Sequence, residues 1–69
     1  MAKQISFTMK QARNYVGLTQ KEVAKLMGIT TKTYIGYEHG RVPIQVDKAK
    51  EFSKIVNMNS DRIIFLQTN

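Results

Sequence analysis

Between Gly17 and Gly40 the chain reads GLTQKEVAKLMGITTKTYIGYEHG, and this stretch constrains the fold more than any other. Thr19 opens a helical run and has Glu22 three residues on. At that spacing a threonine hydroxyl and a glutamate carboxylate each accept from the other residue's backbone N–H. Val23, Ala24 and Met27 recur at helical intervals and predict a buried stripe, with Leu26 partly covered beside it. Gly28 ends that run. Thr30 caps the next, which extends to about His39 with Tyr34 and Tyr37 facing inward, and Gly40 ends it. Two short helices crossing steeply over a tight turn need a small side chain where they approach, here Ala24. They need a residue tolerant of positive φ in the turn, here Gly28. They also need large apolar groups beneath both helices, supplied by Val23, Met27, Ile29, Tyr34 and Tyr37. Residues 19–39 are therefore predicted to form a helix-turn-helix.

The rest of the chain extends the helical pattern on both sides. Thr8 and Gln11 have capping-box spacing and start a first helix over Thr8 to Val16, with Met9, Ala12 and Val16 on one face and Gly17 as its stop. Arg41-Val42-Pro43-Ile44 reads as a loop. A fourth helix is expected over Val46 to Asn57, burying Val46, Ala49, Phe52 and Val56 with Ile55 at the border of the stripe. A short fifth helix is expected from Ser60 or Asp61 to about Leu66, capped by Ser60. With one proline, 4 glycines and no hairpin signal in 69 residues, the expectation is one compact all-α domain over residues 1–69, built from five helices.

Eleven Lys and Arg residues against 5 acidic ones give a net charge of +6, spread along the chain rather than gathered in a tail. Such a balance suits a polyanionic partner, nucleic acid above all. The absence of cysteine leaves neither a disulfide nor a thiolate metal site, and a single histidine, His39, makes no metal cluster. No arrangement of nucleophile, base and carboxylate points to catalysis, and no glycine-rich loop has nucleotide-binding spacing. No apolar run has membrane-spanning length, and MAKQISFTMK lacks the apolar core of a signal peptide. The expectation is a cytoplasmic protein without metal, cofactor or small-molecule ligand.

Taken together, the order of caps, turn and flanking helices resembles the phage lambda/434-type repressor and Cro family, also called Xre-type. The resemblance runs from about Met9 to Ile64. It includes Gly17-Leu18-Thr19-Gln20, the Glu38-His39-Gly40 close, and the Asn57-Met58-Asn59-Ser60-Asp61 junction, where the family often has Gly-Val-Ser-Leu-Asp. Tyr34 departs from the usual isoleucine or valine, and its hydroxyl needs a partner, at the domain edge or on a phosphate. Pro43 falls one residue earlier than the family proline. Tyr34 and Tyr37 read as core rather than as a platform for stacked bases.

The resemblance implies a DNA-binding transcription regulator whose third helix lies in the major groove. Its base readers would be Thr31, Lys32 and Gly36, with Thr30 and Ile35 alongside. Lys32 can donate to guanine O6 and N7, and Thr31 can donate, accept or touch a thymine methyl. Ile35 has two readings, a contact to thymine methyls or burial against a neighbouring helix or subunit. Gly36 stands where the family often has a long polar reader, and could admit close approach of the backbone to DNA. Gln20 would hold a phosphate beside the N-terminus of the second helix, with Lys21, Asn14, His39 and Arg41 as further phosphate candidates. Lys48, Lys50 and Lys54 are expected to lie away from the groove. The family often pairs an arginine of the first helix with a glutamate late in the third, here Arg13 and Glu38. As solvated charges they would contribute little. Partly buried, they would tie the first helix to the recognition unit and leave Arg13 also facing the phosphate backbone.

A domain this small makes few contacts, which favours a homodimer on a pseudo-palindromic operator. The apolar C-terminal segment locates the expected dimer contact at Asn57, Met58, Asn59, Ile63, Ile64 and Leu66. The length resembles a Cro-like phage protein. A restriction controller or an antitoxin has the same features, and the fold also serves as a protein-interaction module.

Overall fold

The computed structural model describes residues 6–65. The elements are a short strand β1 (Phe7–Thr8), helices α1 (Met9–Tyr15), α2 (Gln20–Met27), α3 (Thr31–His39) and α4 (Val46–Ile55), a 3-10 turn (Ser60–Arg62) and a second short strand β2 (Ile63–Ile64). The first three helices start as their sequences require. Thr8, Thr19 and Thr30 each accept a hydrogen bond from the backbone N–H three residues on, and Gln11 and Glu22 complete reciprocal boxes with Thr8 and Thr19.

All four helices end alike. Just past each one a residue takes positive φ (Gly17, Gly28, Gly40 and Asn57), and the next N–H reaches back to the carbonyl five residues earlier. Ile29 N–H to Ala24 O at 3.0 Å is the example inside the helix-turn-helix. Asn57 explains the length of α4. Expected to continue to Asn57, the helix stops at Ile55 because Asn57 does the work of a glycine, with φ of 54°. Asparagine tolerates this conformation at low cost.

The core gathers Met9, Ala12, Val23, Ala24, Met27, Tyr34, Tyr37, Phe52, Val56 and Ile63. The Tyr34 and Phe52 rings stack with centroids 6.2 Å apart, and Phe65 meets Phe52 edge-on at 6.3 Å. Several apolar residues expected inside are not. Val16 is at the surface and Arg13 takes the buried place beside Ala12. Val46 is 71% exposed, at the first position of α4, while Leu26, expected to be only partly covered, lies beside the stripe of Val23 and Met27 and is 61% exposed.

The largest departure from the all-α, five-helix expectation is at the C-terminal end. Residues expected to form a fifth helix form one 3-10 turn and then β2, which pairs in parallel with β1, Phe7 against Ile63 and Thr8 against Ile64. The turn is capped by Asn59, whose side chain accepts from Asp61 N–H at 3.0 Å, and not by Ser60. Ile63 is buried, Ile64 is 48% exposed and Phe65 turns inward again. That alternation is the period of a strand, and β-branched neighbours suit it. Ile63 therefore belongs to the core and is not free for a dimer contact. Leu66, expected both in the last helix and in the dimer contact, lies outside the described residues.

The contrast between exposed Leu26 and buried Ile63 is measurable. Ile63→Ala should cost about 2–4 kcal/mol in urea unfolding, independent of protein concentration, whereas Leu26→Ala should change stability by less than about 0.5 kcal/mol.

Candidate nucleic-acid interface

The C-terminus of α1, the N-terminus of α2 and the second half of α3 meet at one carboxylate. Arg13 Nε donates to Glu38 Oε2 at 2.6 Å, and the two side chains are 10% and 1% exposed. The Tyr34 hydroxyl donates to the same oxygen at 2.7 Å from one helical turn away. Gln20 Nε2 donates to Glu38 Oε1 at 3.1 Å. The remaining reach of the guanidinium is used locally, with Nη1 donating to Leu18 O at 2.9 Å and to Asn14 Oδ1 at 3.2 Å. Among the described residues no buried side-chain polar atom lacks a partner. Burial raises the Glu38 pKa, but hydrogen bonds from Arg13, Tyr34 and Gln20, with the Arg13 charge, more than reverse it and hold the carboxyl below its ordinary 4.5. Burial pushes the Tyr34 phenol well above its ordinary value, and the neighbouring carboxylate adds to this, so it stays a neutral donor.

This network bears on two sequence expectations. Tyr34 finds its partner inside the domain, on Glu38, and not at the domain edge or on a phosphate. Arg13 is buried, with Nε on Glu38 and Nη1 on Leu18 O and Asn14 Oδ1, so it braces α1 against α3 as the partly buried pair expected from the resemblance. Gln20 is half-buried and holds Glu38 from the first position of α2, which leaves its amide oriented at the helix N-terminus.

The outer side of α3 carries the expected readers unequally. Lys32 is exposed, and Thr31 and Ile35 are half-buried. Thr30 is exposed but its hydroxyl is occupied, accepting from Thr33 N–H at 3.1 Å and donating to Thr33 Oγ1 at 2.9 Å. Gly36 is not at the surface. It is buried under the loop after α3, and a Cβ there would lie 2.5 Å from Val42 Cγ2. The glycine admits a neighbouring side chain of its own domain, so the place of the long polar side chain the family often has here is taken by Val42.

Asn14, Lys21, His39 and Arg41 are all exposed. Arg41 Nη2 lies 3.2 Å from His39 Nδ1, so these two form one local unit at the end of α3. On α4, Lys48 is held by Glu51 at 3.1 Å. Two residues went unnoticed in the sequence. Thr33 and Val42 line an open cleft with Lys32, Ile35, Gly36 and Arg41 along α3. The available signal was the glycine itself, since a glycine within a helix and away from its ends marks a close approach by something else.

The described residues contain no group of three or more His, Cys, Asp or Glu able to hold a metal ion, and no helix among them is long and apolar enough to cross a membrane. Compared with known families, residues 9–63 match a family model described as helix-turn-helix, which is most of the chain. No curated protein and no solved structure matches it.

Glu38 makes the stability of this unit depend on pH. Its folded pKa lies below the unfolded value, so its contribution is complete above the ordinary 4.5 and is lost as pH falls through the lowered folded value. Glu38→Gln should therefore cost about 3 kcal/mol near pH 7. The gap from the parent protein should close progressively in acid, as followed by urea unfolding at a series of pH values.

Proposed function

The chain belongs to the helix-turn-helix family of Xre and lambda-repressor type, a family of DNA-binding regulators, and on that premise we propose that it recognises a specific, two-fold symmetric operator as a homodimer. The observation that carries the reading is the division of α3. Tyr34, Tyr37 and Glu38 are buried and braced, while Lys32 stands exposed at the second position with Thr31 beside it. A helix held rigidly from behind, with a cation and a hydroxyl at its outer N-terminal end, is suited to enter the major groove.

In this reading Thr31, Lys32 and Ile35 meet base edges, with Lys32 donating to guanine. Gln20 and Lys21 at the start of α2, Asn14 at the end of α1, and His39 with Arg41 after α3 would engage phosphates on either side and set the register. Thr30 serves the helix cap. The net charge of +6 supports encounter with the duplex. The partner subunit would pack on the face where Tyr15 is 75% exposed and Ile64 48%, beside Met58 and the polar Asn57 and Asn59. Phe7, Tyr15 and Met58 already line one groove there. This is the Cro-like or repressor-like mode of action, with one recognition helix per half-site about one helical turn from its mate.

Selection from a randomised duplex pool tests the proposal. A symmetric consensus bound roughly 10³-fold or more above random duplex is expected, with a salt slope that counts phosphate contacts. Lys32→Ala should cost about 1–3 kcal/mol and relax one base position. Sedimentation should show a dimer on the operator, and Ile64→Lys should weaken that dimer while leaving the melting temperature of the free domain nearly unchanged. A monomer at high concentration even with operator present would sink the dimer.

A further inference from the structure

The chain leaving α3 folds back onto the helix it has just left. The Gly36 carbonyl accepts from the N–H groups of both Arg41, at 2.9 Å, and Val42, at 3.2 Å. This seats the Val42 side chain on bare glycine backbone, where a Cβ would meet Val42 Cγ2 at 2.5 Å and Val42 Cβ at 3.2 Å. The cleft that results has Ile35, Gly36 and Val42 as its apolar surface, Thr33 beside them, and the cations of Lys32 and Arg41 along its sides, with no acidic residue in its lining. Arg41 is steadied by His39 at 3.2 Å.

We propose that this cleft reads a methyl group: it takes the 5-methyl of a thymine in the major groove, and Val42, a residue of the loop and not of the recognition helix, forms one of its walls. The inference rests on the operator-binding reading above and names a base within it. Thymine alone among the four bases presents an apolar group in the major groove. An apolar surface flanked by two cations fits an apolar group set among phosphates. Arg41 then reaches the neighbouring phosphate and Lys32 the adjacent base pair. Gly36 is the residue that makes the cleft possible, because any side chain there would lift Val42 off the helix and move the wall.

The test uses the full chain and the duplex it selects. Each thymine of that duplex is replaced in turn by deoxyuracil, which removes the methyl and leaves base pairing intact. One position per half-site should lose about fourfold in affinity, the effect of one buried methyl group. Val42→Thr keeps the branched shape but adds a hydroxyl. It should bring the thymine-to-uracil ratio at that position below about twofold without changing the others. Circular dichroism and thermal melting check that this variant is folded. Tight, sequence-specific binding indifferent to every uracil replacement would overturn the methyl cleft while leaving the operator reading intact. A thymine effect that survives Val42→Thr but disappears in Ile35→Ala would assign the methyl to the helix alone and overturn the part given to the loop. A chain that selects no consensus would end both readings together.

Discussion

Helices α1, α2 and α3 meet at one carboxylate. Glu38 receives Arg13 from α1, Tyr34 from its own helix and Gln20 from the start of α2. A buried ion pair is weak evidence for extra stability, because desolvating both charges offsets much of their attraction. Its effect here is geometric. A guanidinium, a phenol and an amide can all reach one carboxylate only when three helix ends hold one relative position. Among the described residues no buried side-chain polar atom is left unsatisfied, and a fully satisfied buried network favours one arrangement of its groups. The bracing of α3 comes from its inner side.

The small size of the domain makes such bracing important. A chain of 69 residues leaves a large share of its surface in water, and its helices are no longer than 10 residues. Isolated helices of that length are marginal. Threonine caps at Thr8, Thr19 and Thr30 and left-handed residues at the C-terminal ends limit fraying without adding bulk. The β1–β2 ladder serves a similar end. It carries Ile63 and Phe65 into contact with the core and ties both ends of the described chain to the same side of the molecule.

How much of this could be read from the amino-acid order differs by kind of signal. The capped helices were legible because a threonine three residues before a glutamine or glutamate, and a glycine after a helical stripe, are local cues with local causes. The family resemblance found Arg13 and Glu38, which composition could not have paired across 25 positions. What failed was burial wherever it depends on what lies opposite. Val16 and Val46 are apolar at helical spacing, yet no partner element covers them. The terminal Ile63-Ile64-Phe65 is too short for its period to separate helix from strand, and only pairing with Phe7 and Thr8 decides it. Asn57 takes the left-handed conformation of the glycine the family often has at this junction and so ends α4 early.

Gly36 shows the same limit at the candidate site. In the sequence it looks like a missing reader, a gap in the recognition helix at a cost of about 1 kcal/mol in helix propensity. In the fold it is an occupied position, filled by Val42 from the following loop. The cost in propensity is set against the apolar contact Val42 gains and the two hydrogen bonds the Gly36 carbonyl accepts. A side chain has thus been exchanged for a neighbour's. In the proposed reading the surface that meets the bases is consequently composite, part helix and part loop, with its loop half held by backbone hydrogen bonds and its helix half braced through Glu38. A long side chain at position 36 would have reached outward on several rotatable bonds. Val42 has a single stiff χ1 torsion and sits on backbone, so the surface it offers is fixed before any partner arrives, and little further ordering entropy remains to be lost on binding.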